Sequence, residues 1–201
     1  MRSLRLRFVA RTCSAVLWLA LVAACGAKPP SFSGTAFDPP EPAPTVTLHR
    51  ADGAPFSLRD QRGDVVLVFF GYTHCPDVCP TTLSDWARVK RALGDDARRV
   101  RFVFVSVDPA RDTPAGVQTY AARFDSSFVG LTGDSTTLAT LQRAFHVTSG
   151  REDTGSANGY AVTHASQTFV IDPRGRLRLL YSFGMPTEGV VSDIRTLLKG
   201  A

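Results

Sequence analysis

Val65 to Pro80 reads VVLVFFGYTHCPDVCP. Its first six residues are apolar without a break. A short continuous apolar run rich in β-branched and aromatic residues predicts a strand buried on both faces. Gly71 ends the run. Cys75 and Cys79 follow, each trailed by a proline, Pro76 and Pro80. Proline is accommodated near a helix start, where the first N–H groups have no partner inside the helix. The stretch therefore predicts a strand-to-helix turn with thiols at its tip. As an i, i+4 pair on a helix, the two cysteines share one face. There the macrodipole and free N–H groups favour thiolate over thiol. Two adjacent soft thiolates suit a thiophilic metal, especially Cu(I), and they also suit a dithiol/disulfide couple.

The rest of the chain decides how many thiols accompany this pair. Residues 1–24 hold Arg2, Arg5, Arg7 and Arg11 and no acids, then the apolar run Ala15 to Ala24. Ten residues are too few to span a bilayer as a mature helix and fit a signal-peptide core. The run ends Val22-Ala23-Ala24-Cys25-Gly26. Small residues before a cysteine resemble a bacterial lipobox, in which Cys25 is lipidated and becomes the mature N-terminus. An ordinary signal peptide with an incidental cysteine, or an uncleaved anchor, is the plainer alternative. On the lipobox reading Cys13 leaves with residues 1–24, and only Cys75 and Cys79 remain free in an exported domain. A pair so close in sequence closes too small a loop to staple a fold, which favours redox or metal chemistry.

The net charge of +5 belongs mostly to the leader, because basic and acidic residues nearly balance beyond it. That balance gives no case for nucleic-acid binding. Residues 25–44 carry Pro29, Pro30, Pro39, Pro40, Pro42 and Pro44 among small residues. They read as a membrane tether that, if mostly polyproline II, reaches roughly 60 Å at ~3.1 Å per residue. The domain proper is expected over 45–201.

Within it, Thr45 to Leu48 and Phe56 to Leu58 read as a β-hairpin turning at Asp52-Gly53. The buried strand and thiol turn follow, then a helix from Thr81 to Leu93. Leu83, Trp86, Val89 and Leu93 give that helix its apolar spacing, and Gly94 ends it. Arg101 to Val107 is a second buried strand, stopped at Asp108-Pro109. Thr113-Pro114 is an N-cap with proline at the first helical position, for a helix to about Arg123. Phe128 to Leu131 is a short strand, and Asp134 or Ser135 caps a helix to about Phe145. Ser149 to Gly159 is polar, with a turn signal at Asn158-Gly159, and reads as a mobile loop or short hairpin. Gln167 to Ile171 and Leu177 to Tyr181 are strands joined by the turn Asp172 to Gly175. Thr187 to Lys199 is the last helix. Strands alternating with helices, then a hairpin and a helix, predict an α/β fold, a mixed central sheet with helices on both faces. That order is the thioredoxin-like one, here with an added N-terminal hairpin.

Thioredoxin-type redox motifs place two residues between their cysteines, and here there are three. Thioredoxins set a cis-proline opposite the thiols, before a late strand. The matching stretch here, Val162 to Ser166, has His164 and no proline. A histidine there would supply a third ligand for copper. Peroxide-reducing relatives need a threonine three residues before the reactive cysteine, and Thr73 is two before Cys75.

GYTHCPDVCPTTL (Gly71 to Leu83), SVDPARDTP (Ser106 to Pro114) and His164 ahead of an apolar strand and IDPRG together resemble the Sco/SenC family. The resemblance runs over roughly residues 45–200. It implies a thioredoxin-fold copper-binding protein that helps assemble the dinuclear copper A centre of cytochrome c oxidase. The copper ligands it implies are Cys75, Cys79 and His164, for Cu(I) and conceivably Cu(II). The implied partners are the oxidase copper A subunit or another copper chaperone, with the membrane reached through lipid on Cys25 on the extracytoplasmic side. Many members carry an aspartate just before the histidine where this chain has Thr163. Asp77 and Asp108 are the candidates to replace it beside the metal. The competing reading is a thiol–disulfide oxidoreductase that keeps the acceptor cysteines reduced. A zinc site and a redox sensor are weaker alternatives.

The remaining candidates have plainer explanations. His74 adjoins Cys75 but diverges from it as an i, i+1 neighbour, and His49 and His146 read as solvent-facing. Met185 reads as packing. Asp108 and Asp112 are explained by a turn and a helix entry as readily as by a role near the thiols. Arg98, Arg99 and Arg101 read as a solvated face.

Overall fold

The computed structural model describes residues 31–156 and 159–200. The readings of residues 1–24, Cys25 and Asn158 lie outside the described residues. The Val65 stretch becomes β4 (Val65–Gly71), buried at every position. It is an inner strand of a six-stranded sheet, between β5 (Val100–Ser106) and β9 (Thr168–Ile171). It runs parallel to β5 and antiparallel to β9. Beyond β5 lies β6 (Val129–Leu131). Beyond β9 lie β10 (Arg176–Tyr181) and the edge strand β1 (Thr35–Pro42).

Because strand side chains alternate, β4 feeds two cores. Val65, Leu67 and Phe69 pack with α1 (Val78–Leu93), α2 (Pro114–Ala122) and α4 (Thr187–Lys199). Val66, Val68 and Phe70 pack with α3 (Ser135–Ala144) and with the hairpin of β2 (Thr47–His49) and β3 (Pro55–Ser57). Helices thus cover both faces, and a continuous apolar run is what such a strand requires. The expected β-hairpin is present as its own two-stranded sheet, turning where Gly53 takes φ 82°. Ser149 to Gly159 resolves towards a hairpin: β7 (Gly150–Ser156) pairs antiparallel with β8 (Gly159–Thr163).

One expectation is corrected. The prolines of residues 25–44 point to a tether, but Thr35–Pro42 forms β1 and pairs with β10. The prolines hid it. Pro39 and Pro40 fall inside the register break between Ala36 and Glu41, on an edge strand. An edge strand with an irregular ladder tolerates residues that cannot donate. The start of this strand is pinned by Asp193 on α4, whose buried carboxylate accepts the N–H groups of Ser33 (2.9 Å) and Gly34 (2.9 Å). Among the described residues no helix is long and apolar enough to cross a membrane.

Candidate metal centre

β4 ends at Gly71, and the chain turns at once over the end of the sheet. A Cβ on Gly71 would stand 2.6 Å from Cys79 Sγ and 2.7 Å from a Phe104 ring carbon. No side chain fits, so this glycine makes the seat for the second thiol. The turn closes through the Cys75 N–H donating to Tyr72 C=O at 3.2 Å. α1 then begins at Val78, three residues earlier than its apolar spacing alone predicts, with Asp77 as N-cap. Cys79 lies in the first turn and Cys75 lies before the helix, so the two are not stacked on one helical face.

The Asp77 side chain makes no capping bond, and the Cys75 sulfur takes part of that place. It accepts the Cys79 backbone N–H at 3.4 Å. An N-terminal amide aimed at sulfur favours the thiolate, as expected of a helix start.

His164 arrives from the other end of the chain, between β8 and β9. β9 pairs antiparallel with β4, and Thr168 stands opposite Phe69. That register brings the residues before β9 to the end of β4 that carries the thiols. The imidazole stands edge-on to the rings of Phe69 and Tyr72, each at 5.7 Å between centroids. Nδ1 lies 3.0 Å from Ala165 C=O. With the Nδ1–H donating there, Nε2 turns its lone pair to Cys79 Sγ, 3.6 Å away.

One ligand atom from each of Cys75, Cys79 and His164 lies within 4.8 Å of the others. Bonds of about 2.0–2.3 Å to nitrogen and sulfur allow such a set to share one ion. Two sulfurs and an imidazole favour a soft or borderline metal over Mg²⁺ or Ca²⁺. Both thiols are free.

The two thiols are electrostatically unequal. Cys75 is pulled down to about 4, chiefly by a hydrogen bond from Cys79, with His164 and the Asp77 and Cys79 amides adding to it against burial. Cys79 is pushed far up by the same hydrogen bond and by its burial. Burial alone would lower His164, but its bonds to Cys75 and Ala165 outweigh this and raise it. The metal-free centre is therefore a Cys75 thiolate beside a Cys79 thiol, with His164 drawn towards its charged form by that thiolate. Binding a metal through all three releases protons.

The aspartates fall elsewhere than beside the sulfurs. Asp77 accepts from the Thr81 hydroxyl at 3.4 Å. Asp108 is buried, accepting Arg111 Nε at 2.5 Å and the Tyr160 hydroxyl at 2.7 Å. Asp112 is the carboxylate that grips the thiol turn. It accepts the Thr73 N–H (2.9 Å), the Thr73 hydroxyl (2.5 Å) and the Ser106 hydroxyl, and lies 3.6 Å from His74 Nδ1. Thr163, in place of the expected aspartate, donates to Gly150 C=O within the β7–β8 hairpin. The Ala165 carbonyl orients the imidazole instead. His146 pairs with Glu41, and His49 lies on the separate β2–β3 hairpin. Gly71, Arg111 and Tyr160 are structural determinants of the site to which the sequence alone assigns no such role, and Asp112 takes the role near the thiols that the sequence leaves open beside a plain helix entry. Arg111 and Asp112 both lie in the SVDPARDTP motif.

A family model described as SCO1/SenC matches residues 39–199. An SCO2-like protein of Rickettsia prowazekii is 33% identical over 135 residues, covering 62% of this chain and 66% of that protein. The chain thus spans just under two thirds of the length of such curated relatives. The solution structure of apo Sco1 from Thermus thermophilus is similar with a TM-score of 0.75 and 38% identity, covering 85% of this chain and 99% of that one. Bradyrhizobium japonicum ScoI with copper bound gives 0.69 and 32%, covering 83% and 99%.

Proposed function

The chain belongs to the SCO1/SenC family, and from that premise we propose that it is an exported copper chaperone serving cytochrome c oxidase assembly. Its cargo is Cu(I), held by Cys75, Cys79 and His164 and passed to the thiolate-rich copper A site. A copper-bound ScoI among its structural neighbours supports the choice of metal. One observation carries the reading. His164 brings an imidazole nitrogen to 3.6 Å from Cys79, where thiol–disulfide enzymes of this fold place a proline.

The chemistry follows from the protonation pattern. Cys75 offers a preformed thiolate for capture. Cys79 loses a proton as it binds and His164 binds as the neutral imidazole, which closes a three-coordinate site with no change of oxidation state. In delivery His164 leaves first, an incoming acceptor thiolate takes the freed position, and Cys79 and Cys75 follow. Lipid on Cys25 would anchor the domain on the extracytoplasmic side of a membrane. With Phe32 packed on the core, Ser33 and Gly34 held by Asp193 and Thr35–Pro42 taken into the sheet, at most residues 26–31 would serve as tether, a reach of roughly 19 Å at ~3.1 Å per residue.

The second reading has its own support. A thiolate near pKa 4 beside a buried, protonated partner thiol is the asymmetry of a dithiol reductant. Cys75 sulfur would attack an acceptor disulfide. Cys79, deprotonated, would then displace the second acceptor thiolate, leaving the acceptor reduced and Cys75–Cys79 oxidised.

Mixing the Cu(I)-loaded, reduced protein with the soluble copper A domain distinguishes the two. Transfer to the reduced acceptor without thiol oxidation supports the chaperone. Reduction of a disulfide-bonded acceptor by metal-free protein, with no copper transfer, supports the reductant and overturns the first reading.

A further inference from the structure

Tyr160 lies on β8, four residues before His164. Its hydroxyl donates to Asp108 Oδ1 at 2.7 Å. The other oxygen of Asp108 takes Arg111 Nε at 2.5 Å, and Arg111 Nη1 donates to the Tyr160 backbone carbonyl at 3.0 Å. The Arg111 guanidinium also covers the Tyr160 ring at 3.6 Å, and Arg151 of β7 covers it at 3.7 Å. One tyrosine is thereby held by hydroxyl, carbonyl and ring.

This cluster is anchored on a buried carboxylate, with Arg111 and Tyr160 half-buried over it and Arg151 exposed. Asp108 is 4% exposed and sits just past the end of β5, inside the fold. Arg111 Nη2 is buried with no hydrogen-bond partner, and the guanidinium packs over aromatic ring faces. Besides Tyr160, the guanidinium faces Tyr72 at 5.7 Å, and Tyr72 in turn stands edge-on to His164 at 5.7 Å. Asp108 and Arg111 therefore reach His164 by two routes: along β8 through Tyr160, and across the rings through Tyr72.

We propose that Tyr160 is a positioning residue, and that its attachment to Asp108 and Arg111 is the latch that holds His164 against the thiols. With the latch closed, β8 delivers His164 to Cys79. With it open, the β7–β8 hairpin carries His164 away from the thiols, which is the step that cargo release requires. The proposal rests on the copper-carrying reading of the site. It assigns the aspartate at 108 a part in ligand placement through Arg111 and Tyr160, with no contact to the metal.

The test is Cu(I) affinity of the reduced full chain, measured by competition with a chromophoric Cu(I) chelator. The variants are Tyr160→Phe and Arg111→Gln, each with and without His164→Ala, with thermal melting in parallel. Removing a group that orients a metal ligand weakens binding ~10-fold, so both single variants lose about that factor, Tyr160→Phe with melting near wild type and Arg111→Gln with a lower melting temperature because buried Asp108 loses its ion-pair partner. In the His164→Ala background neither causes further loss, because the latch acts only through that histidine. In metal-free protein the His164 ring resonances shift in Tyr160→Phe. Unchanged affinity in both single variants, or an equal loss without His164, overturns the latch. If the wild type itself binds Cu(I) independently of His164, the copper reading fails and the latch with it.

Discussion

His164 Nε2 stands 3.6 Å from Cys79 Sγ although 85 positions separate the two residues in the chain. The antiparallel register of β9 on β4 creates that proximity, and Phe69 on β4 supports the imidazole that meets the thiols. The strand that leads into the two sulfurs thus also carries the ring against which the imidazole rests.

Cys75 is held as a thiolate down to about pH 4 by the Cys79 hydrogen bond first, and by His164 and the turn amides. In reduced, metal-free protein, iodoacetamide should therefore alkylate Cys75 at a rate that changes little between pH 8 and about pH 5, while Cys79 stays unreacted. Cys79→Ala removes the main donor, so the reactivity midpoint moves upward. Stability has a defined sign. Folded Cys75 ionises before its unfolded counterpart near 9.0, so its contribution is present at high pH and is lost as pH falls towards about 4. Cys79, shifted the other way, costs stability above 9. Denaturation midpoints across this range, with Cys75→Ser as reference, check it.

Gly71 leaves room for the Cys79 sulfur and the Phe104 ring. Gly71→Ala must push one of them aside, at an overpacking cost of about 1–3 kcal/mol. Chemical denaturation should show that loss, and Cu(I) affinity should fall further than in an equally destabilised variant remote from the turn. A stable Gly71→Ala protein with intact affinity would remove this glycine from the site's construction.

Asp112 satisfies the Thr73 N–H and hydroxyl and the Ser106 hydroxyl while itself only 4% exposed. Asp112→Ala strands those donors, and a buried donor left unpaired costs about 1–3 kcal/mol. The expected signature is a lower melting temperature together with faster amide exchange at Thr73, because the turn loses its tie to β5. Asp77→Ala should leave both readouts near wild type, since Asp77 is exposed and bonds only weakly to Thr81.

Asp193 holds the start of β1 through the N–H groups of Ser33 and Gly34. Asp193→Ala should raise amide exchange at Ser33 and Gly34 and lower stability by about 1–3 kcal/mol, with Cu(I) affinity unchanged. Thr35 pairs with Leu180, and the neighbouring Tyr181 pairs with Thr168 opposite Phe69, so β1 begins at the same sheet end as the thiols.

The fold was legible where local pattern dictates structure. Six unbroken apolar residues identified β4, and Thr113-Pro114 marked α2, where the Thr113 hydroxyl accepts the Gly116 N–H. The expected ligand trio converges because two thiols four positions apart at a helix start, and a histidine before a late strand, are placed by the sheet itself. Other features depend on tertiary contact. The prolines of β1 argued against a strand, and only pairing with β10 reveals the register break that absorbs them. Asp108, Asp112 and Tyr160 are ordinary turn and strand residues until packing brings Arg111 over Tyr160 and Thr73 against Asp112. The role of Gly71 depends on where the Cys79 sulfur lands, which no spacing rule encodes.

The most direct test of the account is copper stoichiometry in reduced protein under anaerobic conditions. The wild type should hold one Cu(I) per chain against a competing chelator, and the Cys79→Ser, His164→Ala double variant should lose that tight binding. Tight one-to-one binding retained by the double variant would contradict a site built on Cys75, Cys79 and His164.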